Sequence, residues 1–340
     1  MGCEPYTKFN KVSDIGTTLL NSELEQNLKW YLDWGMLAIG GFSNISRPTS
    51  GAYGGDYSTL RAVEDPSYTN GQIWETARKD WVWETGNLYS GGGSEYGATQ
   101  ISGVYVDDTY YTTGDPTFSH HYDYPNGRIV FDSAIDTSST VTMDYAYRNV
   151  QTYIANDAPW WDELQYDSLR VDDPSYQVAG SGAWGILANH RVQMPAIVIE
   201  TVARRRMTPY QMGDTSQFVK QDVVFHIVAE NRWWRNQLID ILSFQKDSQI
   251  WLFNSNTVAE SGVYPLDYRG MVVSSPKNYD DIVETPQYRY LLARLTDVVT
   301  TEMDSYTQRL HEGTVRATFE VVYFLRDTGV FLHFRRSLNG

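Results

Sequence analysis

A chain of 340 residues is long enough for two domains with sizeable cores, and its net charge of -15 disfavours passive adhesion to nucleic-acid phosphates or anionic lipid. The single cysteine, Cys3, excludes an internal disulfide and fits folding in a reducing cytoplasm. Residues 1–155 hold 9 basic and 19 acidic side chains, 156–192 hold 2 and 6, and 193–340 hold 16 and 17, an asymmetry that predicts three units with those boundaries.

The opening MGCEPYTKFNKVSD lacks a basic-then-apolar targeting pattern. Residues 22–39 predict a helix: Ser22 stands at the cap, Glu25 follows three residues later, and Leu24, Leu28, Tyr31 and Leu32 keep helical spacing. Gly40-Gly41 ends it. Residues 42–71, broken by Arg47-Pro48, Gly51, Gly54-Gly55 and Asp65-Pro66, read as a loop-like extended arm. Residues 72–85 fit a short helix and a strand alike, because Trp81 and Trp83 alternate while Ile73, Ala77 and Trp81 keep helical spacing.

Strand patterns follow at residues 101–106, 110–112, 120–124, 128–132 and 140–147, each bounded by turn residues. Residues 104–110 read as a hairpin, and Pro125-Asn126-Gly127 is the stronger turn signal because Asn-Gly takes positive φ readily. Short strands at this spacing predict a small β-sandwich or barrel-like domain. Residues 156–192 are acidic and rich in breakers, a linker or arm whose Trp160-Trp161 pair is expected to dock onto a surface.

The pattern then changes. Strands are expected at 195–204, 221–230 and 248–254, with an amphipathic helix at 232–245 showing Trp234, Leu238, Ile241 and Leu242 on one face. Two more strands are expected at 289–300 and 313–325. The fold class is therefore β-rich α+β, with the second domain a sheet that carries its helix on one face.

No reactive constellation emerges. His120-His121 lie on one strand and point to opposite faces, so they do not converge on a metal. His226 sits in an apolar strand and reads as a satisfied histidine. Asp107-Asp108, Asp172-Asp173 and Asp280-Asp281 could supply glycosidase carboxylates, but they fall in expected turns, where aspartate serves the backbone. There is no nucleophile elbow, phosphate-binding loop or dinucleotide fingerprint, and Gly91-Gly92-Gly93 reads as a flexible loop. The expectation is a non-enzyme without a cofactor or metal. The one basic cluster, Arg204-Arg205-Arg206, ends the first strand of the second domain and precedes Tyr210; pairing with acidic residues of a neighbouring copy is the favoured use. The candidate subunit-interface residues are Arg204, Arg205, Arg206, Tyr210, Trp160 and Trp161.

The segment Tyr210-Gln211-Met212-Gly213, the strand text Gln221-Asp222-Val223-Val224-Phe225-His226-Ile227-Val228-Ala229-Glu230 and the helix through Leu238-Ile239-Asp240-Ile241-Leu242 resemble tail-terminator and neck proteins of tailed bacteriophages. The likeness covers roughly residues 193–325. It implies a homo-oligomeric ring, commonly a hexamer, that links the tail to the head connector. The implied partners are neck, connector, tail-tube or sheath proteins, with genome DNA passing without sequence-specific binding and no membrane. It implies a place in the virion after assembly in the host cytoplasm. The remaining 190 or so residues depart from the short terminator pattern and leave the tier open. The abundant tyrosines and tryptophans support an alternative, a carbohydrate-binding or host-recognition β-protein of a tail fibre or baseplate.

Overall fold

The computed structural model describes residues 20–47, 57–84, 97–158, 160–161, 192–210, 217–302 and 310–323. Among them the chain is β-rich with few helices. The first element, α1 (Leu20–Ala38), buries a stripe of Leu20, Leu24, Leu28, Leu32 and Met36. It starts two residues before the expected cap, so Ser22 lies inside the first turn and Glu25, instead of closing a capping box, accepts from Thr201. At its end Gly40 takes a φ of 84°, and Gly41 N–H donates to Met36 O at 2.7 Å. A Cβ on Gly41 would meet that carbonyl oxygen at 2.7 Å, which accounts for the second glycine.

Nine short strands follow: β1 (Phe42–Ile45), β2 (Arg61–Ala62), β3 (Ile73–Glu75), β4 (Val104–Val106), β5 (Thr109–Tyr111), β6 (His120–Asp123), β7 (Arg128–Phe131), β8 (Val141–Thr142) and β9 (Tyr145–Arg148). They form three small sheets, ordered β2-β3-β7-β6, β5-β4-β8 and β1-β9. One core fills the space between them, built from Trp74, Trp81, Val104, Ile129, Phe131, Met143 and Tyr145 among others. Trp81 is at its centre, donating from Nε1 to Thr76 Oγ1 at 3.0 Å.

Several local expectations change here. Residues 42–45, expected as loop, form a strand because Tyr145–Arg148 supplies an antiparallel partner a hundred residues away. The ambiguous segment 72–85 resolves, over its described residues 72–84, as strand β3 and a bridge from Trp81 to Tyr147, with no helix there. The expected strand 140–147 divides at Met143-Asp144 and serves two different sheets. The hairpin at Pro125-Asn126-Gly127 is a four-residue loop between the paired Asp123 and Arg128, with positive φ at Gly127 (63°). The tight two-residue turn is instead Asp107-Asp108, with φ of 49° and 63°, and aspartate tolerates that region better than most residues do.

The chain then enters a larger sheet. Its elements are β10 (Gln151–Ile154), β11 (Ala196–Pro209), β12 (Gln217–Ala229), α2 (Arg232–Ser243), β13 (Gln249–Phe253), α3 (Ser255–Glu260), α4 (Tyr279–Glu284), β14 (Arg289–Glu302) and β15 (His311–Tyr323). The strand order is β10-β11-β12-β15-β14-β13, antiparallel except for β10 against β11. Alternate residues Val219, Val223, Phe225 and Ile227 of β12 and Val315, Ala317, Phe319 and Val321 of β15 fill one face, against the leucines of α1 and α2. Asn231 caps α2 through Trp234 N–H. Arg235, Leu238, Ile239 and Leu242 are its buried residues, so Arg235 and Ile239 are buried where the periodicity had suggested Trp234 and Ile241. Gly313 permits this approach, since a Cβ there would meet Ile239 Cδ1 at 2.6 Å.

The packing divides the chain differently from its charge. Helix α1 and strand β10, both inside the expected unit 1–155, belong with the six-stranded sheet; β1 to β9 are an insertion between them. The leucine stripe of α1 needs a wide apolar surface, and the large sheet offers it. Side chains of α1 also reach both margins of that sheet. Asn27 donates to Phe253 O at 3.0 Å and accepts from Phe253 N–H at 2.6 Å on edge strand β13, while Glu25 accepts from Thr201 N–H at 3.0 Å on β11, beyond the end of β10. Glu23 accepts from Ser255 N–H at 3.0 Å. The helix therefore closes a curved sheet from margin to margin. No described helix is long and apolar enough to cross a membrane.

Candidate functional site

Two surfaces combine unusual chemistry with a defined shape. The first is the face of the large sheet opposite its helices. Arg204 and Arg206 of β11, Lys220 and Asp222 of β12, Asp297 and Val299 of β14, and Arg316 and Thr318 of β15 surround a depression of ≈ 380 Å³. Cross-strand pairs use part of this charge. Arg316 Nη2 lies 2.5 Å from Asp222 Oδ2, Thr318 donates to Asp222 Oδ1 at 2.8 Å, and Lys220 pairs with Glu320. Burial pushes the Asp222 carboxyl up, but the hydrogen bonds from Arg316 and Thr318 outweigh it and hold the group below the usual aspartate range. Arg204 and Arg206 form no ion pair with any described residue.

The three consecutive arginines thus separate. They lie within β11, which runs on to Pro209, and not in a loop after it. Arg204 and Arg206 share the open face. Arg205 points to the helix side, where Nε donates to Gln221 Oε1 at 2.8 Å and Nη2 donates to Asn21 Oδ1 of α1. Arg205 is committed within the chain and is not available to a neighbour. Tyr210, just past the strand end, is exposed, and so is Met207 within the strand.

Trp161 is 1 % exposed and packs on Val198 and Val228, with its ring centroid 4.6 Å from that of His226. The pair does dock on a surface, but this docking consumes Trp161 within the chain's own fold; half-buried Trp160 lies edge-on to Tyr153. His226 is held between Glu200, 3.0 Å from Nε2, and Glu312, 3.4 Å from Nδ1. His120 is buried and His121 half-buried, as alternation requires. Asp280 and Asp281 sit in the first turn of α4, where Asn278 and Asp281 form a capping box, and not in a loop. Cys3, Gly91 to Gly93, Asp172-Asp173 and Gln211 to Gly213 lie outside the described residues. No group of three or more His, Cys, Asp or Glu among the described residues is placed to hold a metal ion.

The second surface is a cleft of ≈ 390 Å³ between α1, the β1–β9 insertion, β10 and the segment that joins α3 to α4. Trp30, Trp34, Trp83, Tyr124, Tyr264 and Tyr279 form aromatic walls, and Arg148 lies at its base. Arg148 Nη2 contacts both oxygens of Glu84 at 2.6 Å, while Nη1 donates to Asp80 Oδ1 and Trp81 O, each at 3.1 Å. Burial pushes the Glu84 carboxyl up and Arg148 opposes that shift. Asp33, one turn from Lys29 on α1, is pushed up to about 6 by burial and by Asp80, against the pull of Arg148, Lys29 and the Thr152 hydroxyl. Residues 33, 80, 84 and 148 are far apart in the chain, so no local motif announces this cluster.

Asp33 gives the protein a pH dependence. Its folded pKa of about 6 exceeds the ordinary aspartate value of 3.8, so between those values the native state binds more protons than the unfolded one. Stability from this group is therefore present at acid pH and is lost as pH rises through about 6. Asp33→Asn is expected to remove that slope and to raise the unfolding free energy at pH 7 by about 1–3 kcal/mol, measured by urea denaturation at pH 4.5 and 7. A variant that keeps the wild-type slope contradicts the assignment.

No protein-family model matches the chain, and no curated protein matches it.

Proposed function

We propose that this chain is a virion structural protein of a tailed bacteriophage that assembles into a ring in the neck or proximal tail, as a tail terminator or head-tail joining protein. The observation that carries the reading is the open face of the large sheet, where Arg204 and Arg206 form no ion pair with a described residue, Arg204 acting on Asp222 only at longer range, in a chain of net charge -15. In such a chain, acidic surface is abundant and unpaired guanidinium is scarce, so a second copy is the natural source of counter-charge. The acidic β1–β9 insertion supplies it, joining head to tail around a closed ring.

The order of β12, α2 and the strands after it supports the likeness to terminator and neck proteins: a long strand leads directly into a helix packed on one face of an antiparallel sheet. In this reading the six-stranded sheet is the terminator-like α+β domain, and the insertion is a small sandwich or barrel-like module that reaches connector, sheath or tube proteins. Acidic surface on the channel side would let DNA pass without adhering.

Sedimentation and negative-stain imaging of the purified full chain test this. The expected result is a closed ring whose self-association weakens by tenfold or more, about 1.4 kcal/mol or more, in Arg204→Glu/Arg206→Glu, while Arg205→Gln acts through stability instead. Raising the salt should weaken association of the wild type. A protein that stays monomeric at about 100 µM, where micromolar self-association would be nearly complete, overturns the proposal.

A further inference from the structure

We propose that the aromatic cleft beside α1 binds a neutral pyranose carbohydrate, with Trp34 in its wall packing against the sugar ring and Asp33 and Arg148 holding its hydroxyl groups. The site is independent of the ring reading: none of its lining residues belongs to the basic sheet face.

The base of the cleft carries hydrogen-bonding capacity that the chain itself does not use. Arg148 is 7 % exposed, and although both Nη atoms are engaged, its Nε has no hydrogen-bond partner among the described residues; Thr152, also 7 % exposed, turns its hydroxyl toward the Asp33 carboxyl. Both residues line the cleft. Buried donors are nearly always paired, so an orphaned guanidinium N–H in the lining of a cavity points to a group that completes it.

The charges around them select its chemistry. An anion would satisfy the Arg148 Nε–H but would face Asp33, Asp80 and Glu84, which also line the cleft. A cation would suit those carboxylates but offers nothing to a guanidinium donor. A hydroxyl group accepts from Nε–H and at the same time donates to a carboxylate, and neighbouring hydroxyls on one ring do this without net charge. The aromatic walls complete the argument, since rings with polar edges suit a ligand that is apolar on one face and polar at its rim. Trp30, Trp34 and Trp83 all remain partly exposed. A volume of ≈ 390 Å³ lies at the small end of ligand sites and has room for a mono- or disaccharide.

The probes are the methyl pyranosides of glucose, galactose, mannose and N-acetylglucosamine and their common disaccharides, titrated into the full chain. Tryptophan fluorescence and saturation-transfer NMR report binding. The expected result is saturable binding of at least one probe, weakened tenfold or more in Asp33→Asn and in Trp34→Ala but unchanged in Trp160→Ala and in Arg204→Glu. Asp33→Asn preserves side-chain shape, so it keeps the test decisive should Trp34→Ala fail to fold. Absence of saturable binding by every probe up to about 20 mM, well beyond a millimolar Kd, overturns the proposal. So does binding that survives Asp33→Asn and Trp34→Ala, or a preference for methylammonium or inorganic phosphate over every sugar.

Discussion

Arg148→Ala is expected to lower the unfolding free energy by about 3–5 kcal/mol, the usual cost of breaking a buried ion pair from one side. Glu84 is buried and loses both of its short contacts to Nη2, and Asp80 loses its contact to Nη1. The side chain left behind is a carboxylate with little water and no counter-charge. Burial already pushes Glu84 up against the pull of Arg148; without the arginine it rises further, so the deficit should be largest at neutral pH and shrink as the carboxyl protonates toward pH 4. Urea denaturation at the two pH values reads both effects. Arg148→Met combined with Glu84→Gln should recover much of the loss, because the penalty lies in the unpaired charge. A single variant within about 1 kcal/mol of wild type would show that water reaches Glu84 freely.

The second large effect is expected at Asn27, which is fully buried on α1. Its carboxamide serves the N–H and the C=O of Phe253 together, as a neighbouring strand would, and its amide group also donates to Glu23 O at 2.7 Å. Asn27→Ala leaves two backbone groups of edge strand β13 buried without partners, at about 1–3 kcal/mol each. The expected loss is thus about 2–5 kcal/mol, with hydrogen exchange at Phe253 N–H accelerating beyond the global change. Asn27→Leu fills the volume without the hydrogen bonds and should be no better. Equal protection of Phe253 N–H in wild type and variant would refute the role given to the amide.

Much of the β-rich architecture was legible because short-range signals and long-range packing agree. The four-residue stripe of α1, the strand text of residues 128–131 and the alternation in β12 each have one reading, and each formed. What escaped depended on distant partners. Residues 42–45 carry no pattern of their own and became a strand through Tyr145 to Arg148. The unit boundary escaped for the same reason: the leucines of α1 declare an apolar face but not which sheet will cover it, and the covering residues come two hundred positions later. The arginine triplet was misread as one cluster although the signal to divide it was present. Extending the strand to Pro209 puts Arg204 and Arg206 on one face and Arg205 on the other by period-two alternation alone. The aromatic cleft had no such signal, since Asp33, Asp80, Glu84 and Arg148 meet only in three dimensions.

The helix that reaches both margins of the large sheet also constrains when the molecule can finish folding. The Asn27 contact with Phe253 spans 226 positions in sequence, and that of Glu25 with Thr201 spans 176. During synthesis α1 leaves the ribosome early and its leucine stripe has nothing to cover until the strands of the large sheet arrive. At about 5–20 residues per second, some ten seconds or more separate the two halves of these contacts. The β1–β9 insertion has its own core and is able to order in that interval, whereas α1 must wait or be held. A nascent chain stalled before β13 should therefore be the species most prone to associate wrongly or to recruit a chaperone.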